Sequence, residues 1–351
     1  MTMKQIYRAL LMLAAVFSAS TFAAVGPYKV VLIHGFQPDQ LQSRPDHEQV
    51  AQDGANYWQD YWLQYADARI DWPANERIEG KIASDYLWPA LKTLSEQETC
   101  LSGCLLVTHS TGDLVARYLL DNQENWLINA GLEPLNIVGT FDFAGAGGGV
   151  EMANIAVNVA QGGGWLNHAM KKAVSLWLGQ LPNKQNIGVL NDLKVANARQ
   201  LSMWPDNRVP RIRFVGNGSD FLGATSPFIP GSDDGVVAAH SACGAADADA
   251  FDSCSTAIEF DGKLGYVHKG VRRFIPMHYP LLMGNKYSHL TIFKSAYKGK
   301  VTATDSELEL GDRSRISVET VDKDGWFGNK YRYVRDSDRD TLSELVFALP
   351  Q

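Results

Sequence analysis

One serine of the sequence stands where a serine can act as a nucleophile. Ser110 follows the apolar run Leu105-Leu-Val-Thr-His109 and precedes a helical pattern that begins near Gly112. A tight turn between a strand and a helix lifts the residue at its apex above the sheet, where its hydroxyl can attack a carbonyl carbon. The turn needs small neighbours two residues away, because the two backbones approach closely. Gly112 is such a small neighbour, and Thr108 is a small β-branched residue at the position where the motif usually has glycine. Ser110 is therefore a candidate nucleophile if an acid and a base lie near it.

Candidates for the partner acid and base come late in the chain. Asp234 lies in Ser232-Asp-Asp-Gly-Val-Val237, a compact turn after a predicted strand, and its rivals are Asp233 and, more weakly, Asp220. His289 lies in Tyr287-Ser-His-Leu290, in a loop before a predicted closing helix. A single histidine is usually structural. The set of serine, carboxylate and imidazole therefore indicates nucleophilic catalysis more strongly than any one member does.

Two further histidines receive other interpretations. His278 stands between prolines in Ile275-Pro-Met-His-Tyr-Pro280 and is predicted to be structural. His240 follows the acidic turn closely and is a candidate support for the acid.

The elements that must position these residues alternate between strand and helix. Buried strands are predicted at the following apolar runs: Tyr28–Ile33, Leu105–His109, Leu135–Phe143 and Pro210–Gly216. Helical patterns between them predict a mostly parallel sheet with helices on both faces. Ligands bind at the carboxyl ends of such strands, and Ser110 follows one of those ends.

An insertion over about residues 145–205 interrupts the alternation. Helical patterns at Val150–Ala160 and Trp165–Leu178 are separated by Gly162-Gly-Gly164. Hinged amphipathic helices can cover an active site, which predicts a lid, although such helices also pack permanently on cores. The preceding glycine run Ala144–Gly149 lacks the lysine of a phosphate loop and the dinucleotide-binding spacing, which excludes a nucleotide site of either type.

The N-terminus and the net charge predict an exported protein. Lys4 and Arg8 precede the apolar run Ala9–Phe17 and a stretch of mostly small residues, so residues 1–23 are predicted to be a signal peptide. The apolar run is shorter than the roughly 20 residues that cross a bilayer, so no stable transmembrane anchor is expected. A formal net charge of −7 argues against a nucleic-acid partner.

Four cysteines follow the predicted signal peptide. An oxidising compartment favours two disulfides, for which three pairings are possible. The local pairs Cys100–Cys104 and Cys243–Cys254 are preferred. A zinc site is less favoured because no C-x-x-C pair or matching histidine spacing is present.

Four segments together resemble secreted bacterial lipases and carboxylesterases of the α/β-hydrolase superfamily. They are Val31-Leu-Ile-His-Gly-Phe36, Thr108-His-Ser-Thr-Gly112, Ser232-Asp-Asp-Gly-Val-Val237 and Tyr287-Ser-His-Leu290. The resemblance implies a catalytic domain over residues 24–298 and a Ser110–Asp234–His289 triad. It also implies an oxyanion hole formed by the backbone N–H groups of Phe36 and Thr111.

The activity implied by this resemblance is serine ester hydrolysis. The expected substrate is a triacylglycerol or another apolar ester. For a lipid substrate, the expected place of binding is a lipid–water interface. A lipid acyltransferase, a polyester depolymerase and a non-catalytic binding protein remain alternatives, since a fold does not fix a function. No organic cofactor is expected, and a structural calcium ion is possible but unassigned.

The chain departs from the family pattern in three places. Thr108 replaces the first motif glycine, and Asp113 stands where many lipases carry another glycine. Residues 299–351 have no family counterpart, and the alternating polarity of Lys300–Thr304 and Arg315–Val321 predicts a small β-rich extension.

Overall fold

A seven-stranded sheet lies at the centre of the computed structural model. The structure describes residues 27–163, 167–202, 209–248, 252–294, 299–305 and 307–339. The predicted signal peptide therefore lies outside the described residues. The seven strands are β1 (Lys29–Ile33), β2 (Ala68–Ile70), β3 (Cys104–His109), β4 (Ile137–Phe143), β5 (Arg211–Gly216), β6 (His278–Gly284) and β7 (Thr302–Ala303).

The strands lie in the order β2-β1-β3-β4-β5-β6-β7. The first six run parallel to one another, and β7 pairs antiparallel with β6. With a strand–serine–helix turn after β3, this is an α/β-hydrolase fold, as the sequence predicted. Strands β3, β4 and β5 are buried along their whole length. Burial along the whole length of a strand is typical of parallel strands that are covered on both faces.

Helices connect the strands. They are α1 (Gln40–Ser43), α2 (His47–Leu63), a π-helical segment (Ile78–Leu87), α3 (Trp88–Glu96), α4 (Gly112–Asn129), α5 (Glu151–Ala160), α6 (His168–Leu178), α7 (Val195–Ser202) and α8 (Ala239–Ala242). Helices α5 and α6 correspond to the two predicted helices of the insertion. The Asn167 side chain accepts a hydrogen bond from the Met170 backbone N–H and caps α6, and the predicted start at Trp165 falls in a gap between the described residues. Residues 164–166 lie outside the described residues.

Both faces of the sheet are covered, as expected, but by different kinds of element. The π-helical segment and helices α3 to α7 contribute to the core on one face. On the other face, Trp58 and Trp62 of α2 pack with apolar residues of the C-terminal segment. Leu308, Ile316 and Val334 belong to this second core.

The C-terminal segment is therefore part of the folded core. After β7 it forms the hairpins β8 (Glu307–Glu309) with β9 (Arg315–Ser317), and β10 (Thr320–Asp324) with β11 (Lys330–Val334). The predicted β-rich extension is present in this form. Full burial of each large apolar side chain contributes roughly 1.5–3 kcal/mol, so this segment stabilises the sheet that it covers.

Strand β6 was not predicted from the sequence, and the segment after His289 differs from the helix expected there. Proline lowers the expectation of a strand, yet the His278–Gly284 segment pairs with β5 because its apolar half, Leu281–Met283, is buried. The helix expected after His289 is absent from residues 289–293, which form hydrogen-bonded turns. The side chain of Thr291 accepts the backbone N–H of Ser288 there.

Both local disulfides, Cys100–Cys104 and Cys243–Cys254, are formed. No helix within the described ranges is long and apolar enough to span a bilayer.

Candidate active site

Ser110 stands at the apex of the turn between β3 and α4. Its φ is +56°, in the left-handed region that non-glycine residues rarely adopt. Its backbone N–H donates to the carbonyl of Phe143 (2.9 Å), and its carbonyl accepts the N–H of Ala146 (2.9 Å). Such a conformation persists only when the surrounding structure fixes it. These backbone bonds fix it by tying the turn to the end of β4.

Small residues are required around this turn, as the motif predicts. A methyl group on Gly112 would overlap the carbonyl oxygens of Ile33 and His34. A methyl group on Gly35 would overlap Ser110 Cβ and the Tyr57 hydroxyl. The backbone after β1 and the serine turn are therefore in direct contact.

The structure brings Ser110, His289 and Asp234 together. His289 Nε2 lies 2.9 Å from Ser110 Oγ, and His289 Nδ1 lies 2.9 Å from Asp234 Oδ2. The exposed fractions of the three residues are 5%, 4% and 1%. A nucleophile hydrogen-bonded to a base, which is oriented by a carboxylate, is the arrangement of a serine hydrolase.

Backbone contacts hold the acid and the base in place. Asp234 Oδ1 accepts the N–H groups of Val236 (3.0 Å) and Val237 (2.7 Å), which leaves Oδ2 for the imidazole. The His289 N–H donates to the Asp234 carbonyl at 2.8 Å. The two loops are therefore joined by their backbones as well as by their side chains.

The rival carboxylates have other partners. Asp233 Oδ1 accepts the Gly235 N–H (2.8 Å) and the Ser226 hydroxyl (2.9 Å), and burial raises the pKa of Asp233. Asp220 accepts the Ser288 hydroxyl (2.7 Å) and the Leu290 N–H (2.8 Å), on either side of His289. Asp220 therefore supports the histidine loop, while Asp234 contacts the imidazole itself.

The other two candidate histidines are buried elsewhere. His240 Nε2 lies 3.1 Å from Glu151 Oε1 at the start of α5. His278 Nε2 accepts a hydrogen bond from Arg117 (2.9 Å), and its Nδ1 donates to the Pro276 carbonyl (2.9 Å). His278 is thus a structural residue within the core.

A cavity of about 270 Å³ opens above Ser110. Phe36 and Thr111, the two residues predicted to supply oxyanion donors, both line it. Most other lining residues are apolar: Pro38, Val150, Trp177, Leu193, Phe221, Val236, Leu290 and Phe293. An apolar wall with few polar groups at one end suits an acyl chain whose ester carbonyl reaches Ser110.

The insertion forms part of this cavity. Trp177 of α6 lies over Phe36, with ring centroids 5.8 Å apart, and Val150 precedes α5. The same helix buries Val174 and Leu178 in the core. In this structure the insertion both packs on the core and lines the cavity.

A buried ionic network behind the serine turn was not predicted from the sequence. Its members are Asp113, Arg117, Asp142, Arg211 and Arg213, each with at most 1% of its surface exposed. Arg211 and Arg213 in β5 and Asp142 in β4 were the sequence signal for this network. Charged residues buried in a strand need partners of opposite charge.

Arg213 is the centre of this network. Its guanidinium contacts Asp113 (2.8 Å) and Asp142 (2.9 Å) and donates to the carbonyl of Ala242 (2.8 Å). Thr108 donates to the other oxygen of Asp142 at 2.7 Å. Burial alone would raise the pKa of Asp113, but the neighbouring guanidinium groups hold that pKa well below its usual range. Both departures from the motif therefore involve this network, because Asp113 belongs to it and Thr108 donates to its Asp142.

The two neighbouring aspartates give a direct test of the acid. We expect Asp234→Asn to lower kcat by about 10⁴-fold, because an amide no longer selects the required imidazole tautomer or stabilises its charge. Asp233→Asn keeps an oxygen for Ser226 and Gly235, so kcat should stay within about tenfold. The measurement is kcat on a soluble nitrophenyl ester, and the opposite ranking would assign the role to Asp233.

Three buried histidines should make the folded protein less stable in mild acid. Burial lowers the pKa values of His34, His109 and His278 below their usual range. Below the unfolded-state pKa of about 6.5, the unfolded chain binds protons that the native state does not. Each histidine then contributes about 1.4 kcal/mol of destabilisation per pH unit until its native pKa is reached.

We therefore expect the Tm to decrease when the pH is lowered from 7.5 to 5.5. Replacing His278 by glutamine should reduce this pH dependence, while replacing the exposed His268 should not. A Tm that is constant or higher at pH 5.5 would contradict the prediction.

Within the described residues, no group of three or more histidine, cysteine, aspartate or glutamate side chains is arranged to hold a metal ion.

Comparison with known proteins gives structural similarities only. No protein-family model and no curated protein matches the chain. The mature lipase BlEst2 of Bacillus licheniformis is 16% identical, with a TM-score of 0.43 over 76% of this chain and 86% of that chain. EstA from Clostridium botulinum is 13% identical (TM-score 0.36; 77% and 83% covered). The lipase of Staphylococcus hyicus is 12% identical (TM-score 0.38; 63% and 81% covered).

Proposed function

We propose that the protein is an exported serine carboxylester hydrolase, and specifically a lipase that cleaves triacylglycerol or similar acyl esters. The observation that carries this proposal is the hydrogen-bonded series Ser110–His289–Asp234 at the base of an apolar cavity. The predicted signal peptide and the two disulfides support export.

The reaction proceeds through an acyl-enzyme. His289 Nε2 takes the proton of the Ser110 hydroxyl as Oγ bonds to the ester carbonyl carbon, and the carbonyl π electrons move onto oxygen. When the C–O bond to the alcohol breaks, the imidazolium donates its proton to the departing oxygen. Asp234 stabilises the imidazolium without taking its proton.

Water completes the cycle by the same steps. His289 takes a proton from water as its oxygen bonds to the acyl carbon, and the proton then returns to Ser110 as the carboxylic acid leaves. In both steps the backbone N–H groups of Phe36 and Thr111 stabilise the oxyanion. One such donor is typically worth about 10²–10³ in kcat.

Two other activities would use the same triad. A lipid acyltransferase differs only in replacing water by an alcohol acceptor, and a polyester depolymerase differs in its substrate. The apolar cavity favours an acyl ester over a polar substrate. Hydrolysis and transfer are distinguished by the molecule that accepts the acyl group, which is water in one case and an alcohol in the other.

The test is hydrolysis of p-nitrophenyl esters from acetyl to palmitoyl, and of an emulsified triglyceride, by the mature protein and by Ser110→Ala. Hydrolysis of the long-chain esters and of the emulsified triglyceride, with both activities lost in Ser110→Ala, would support a lipase. Activity on short chains alone would make the protein an esterase. If no substrate is turned over and a fluorophosphonate probe leaves Ser110 unlabelled, the hydrolase proposal is wrong.

A further inference from the structure

His109, directly before the nucleophile, has a buried side chain that the mechanism above does not use. Its Nε2 lies 2.9 Å from the carbonyl oxygen of His289, and its Nδ1 is hydrogen-bonded to the hydroxyl of Tyr57. Only 1% of the His109 surface is exposed. Both ring nitrogens therefore have hydrogen-bond partners within the protein.

The two partners fix the tautomer of His109. A carbonyl oxygen only accepts, so His109 must carry its proton on Nε2 and donate it to His289. Nδ1 then has a lone pair and accepts the hydroxyl proton of Tyr57. A protein-derived donor and acceptor thus satisfy both nitrogens of a neutral ring, and burial together with the adjacent His289 holds the pKa of His109 well below its usual range.

Tyr57 extends this connection to the predicted oxyanion loop. Its hydroxyl lies directly against Gly35, where no side-chain carbon would fit, and Gly35 precedes Phe36. The Tyr57 ring is stacked on Phe293 with centroids 5.2 Å apart and planes 6° apart. Phe293 also contacts the His109 ring at 4.3 Å. The Phe293 ring therefore packs against both Tyr57 and His109.

We propose that Tyr57 and His109 are positioning residues that hold the backbone of the base His289 and the oxyanion loop at Gly35 in a fixed arrangement around Ser110. The inference rests on the proposed function. The connection runs from Gly35 through the Tyr57 hydroxyl and the His109 ring to the His289 carbonyl. Because a misplacement of about 1 Å can cost about 10²-fold in rate, this arrangement acts on turnover more than on substrate binding.

The test compares variants that remove or retain single bonds. Tyr57→Phe keeps the ring and its stacking but removes the hydroxyl. His109→Leu removes both hydrogen bonds, whereas His109→Gln keeps an amide N–H for the His289 carbonyl. The matched control is Tyr279→Phe, which removes a half-buried hydroxyl near the start of β6, at the opposite end of the strand from the site.

We expect Tyr57→Phe and His109→Leu to lower kcat by about 10–100-fold on p-nitrophenyl butyrate, with KM changed by less than about threefold. The kcat of His109→Gln should be at least tenfold higher than the kcat of His109→Leu. Tyr279→Phe should retain the wild-type kcat. Thermal unfolding of each variant shows what share is folded, and kcat is expressed per folded protein.

Three outcomes distinguish a failure of this inference from a failure of the proposed function. If the wild-type protein is active and labelled by fluorophosphonate but Tyr57→Phe and His109→Leu keep kcat within threefold, the positioning role alone is overturned. If His109→Gln is no better than His109→Leu, despite equal folding, the role of the bond to His289 is overturned. If the wild-type protein is neither active nor labelled, both proposals are wrong.

Discussion

Replacing His289 by alanine should lower kcat by about 10⁴-fold or more while the protein remains folded. His289 Nε2 is 2.9 Å from Ser110 Oγ, so its loss leaves the hydroxyl without a base and the leaving alcohol without an acid. Ser110→Ala should have an effect of the same size. The measurement is kcat on p-nitrophenyl butyrate, with unfolding curves to confirm the fold.

The residues of a triad act as a unit, which provides a control. The double variant Ser110→Ala/His289→Ala should be about as slow as either single variant, because each single change already removes the shared mechanism. Replacing the exposed His268 by alanine should leave kcat within about twofold. If His289→Ala kept more than a hundredth of the wild-type kcat, another group would be the base.

The second large effect is expected on stability. Arg213→Met should lower the free energy of unfolding by about 3–5 kcal/mol, because it leaves two buried carboxylates with too little positive charge nearby. Arg213 contacts Asp113 at 2.8 Å and Asp142 at 2.9 Å, and neither aspartate is exposed to solvent. Denaturant unfolding, monitored by circular dichroism, gives the change in free energy.

A surface arginine provides the matched control. Arg315 lies 4.0 Å from Glu307 and 3.9 Å from Glu309, and 68% of its side chain is exposed. Arg315→Met should change the free energy of unfolding by less than about 1 kcal/mol, as for most surface ion pairs. Equal effects of the two substitutions would show that burial does not set the strength of the Arg213 contacts.

Much of the fold was predictable from local patterns. The predicted runs Leu105–His109 and Leu135–Phe143 correspond closely to β3 (Cys104–His109) and β4 (Ile137–Phe143), because β-branched and large apolar side chains suit a sheet that is covered on both faces. Ser110 was identifiable as the nucleophile candidate because the strand, the small residues and the helix that make its turn are adjacent in sequence. Short-range sterics decide these features, so a short stretch of sequence contains them.

Strand β6 and the C-terminal segment were harder to predict. Pro280 lowers the local expectation of a strand, and it is the burial of Leu281–Met283 between β5 and β7 that stabilises one. The strands after Thr302 showed the right alternation, but nothing local indicated that they cover one face of the central sheet. Tertiary burial, which local propensity does not report, decides both features.

The sequence by itself determined the types and the chain order of the reactive groups, with Ser110, a carboxylate near residue 234 and His289 as candidates. Only the tertiary structure distinguished Asp234 from Asp233 at the imidazole, and only it joined Tyr57, His109 and His289. Tyr57 and His109 are 52 residues apart, and Ser110 and His289 are 179 residues apart. Contacts over such separations depend on the strand order and on the direction in which each loop places its side chains, because the loops converge only when the sheet is assembled.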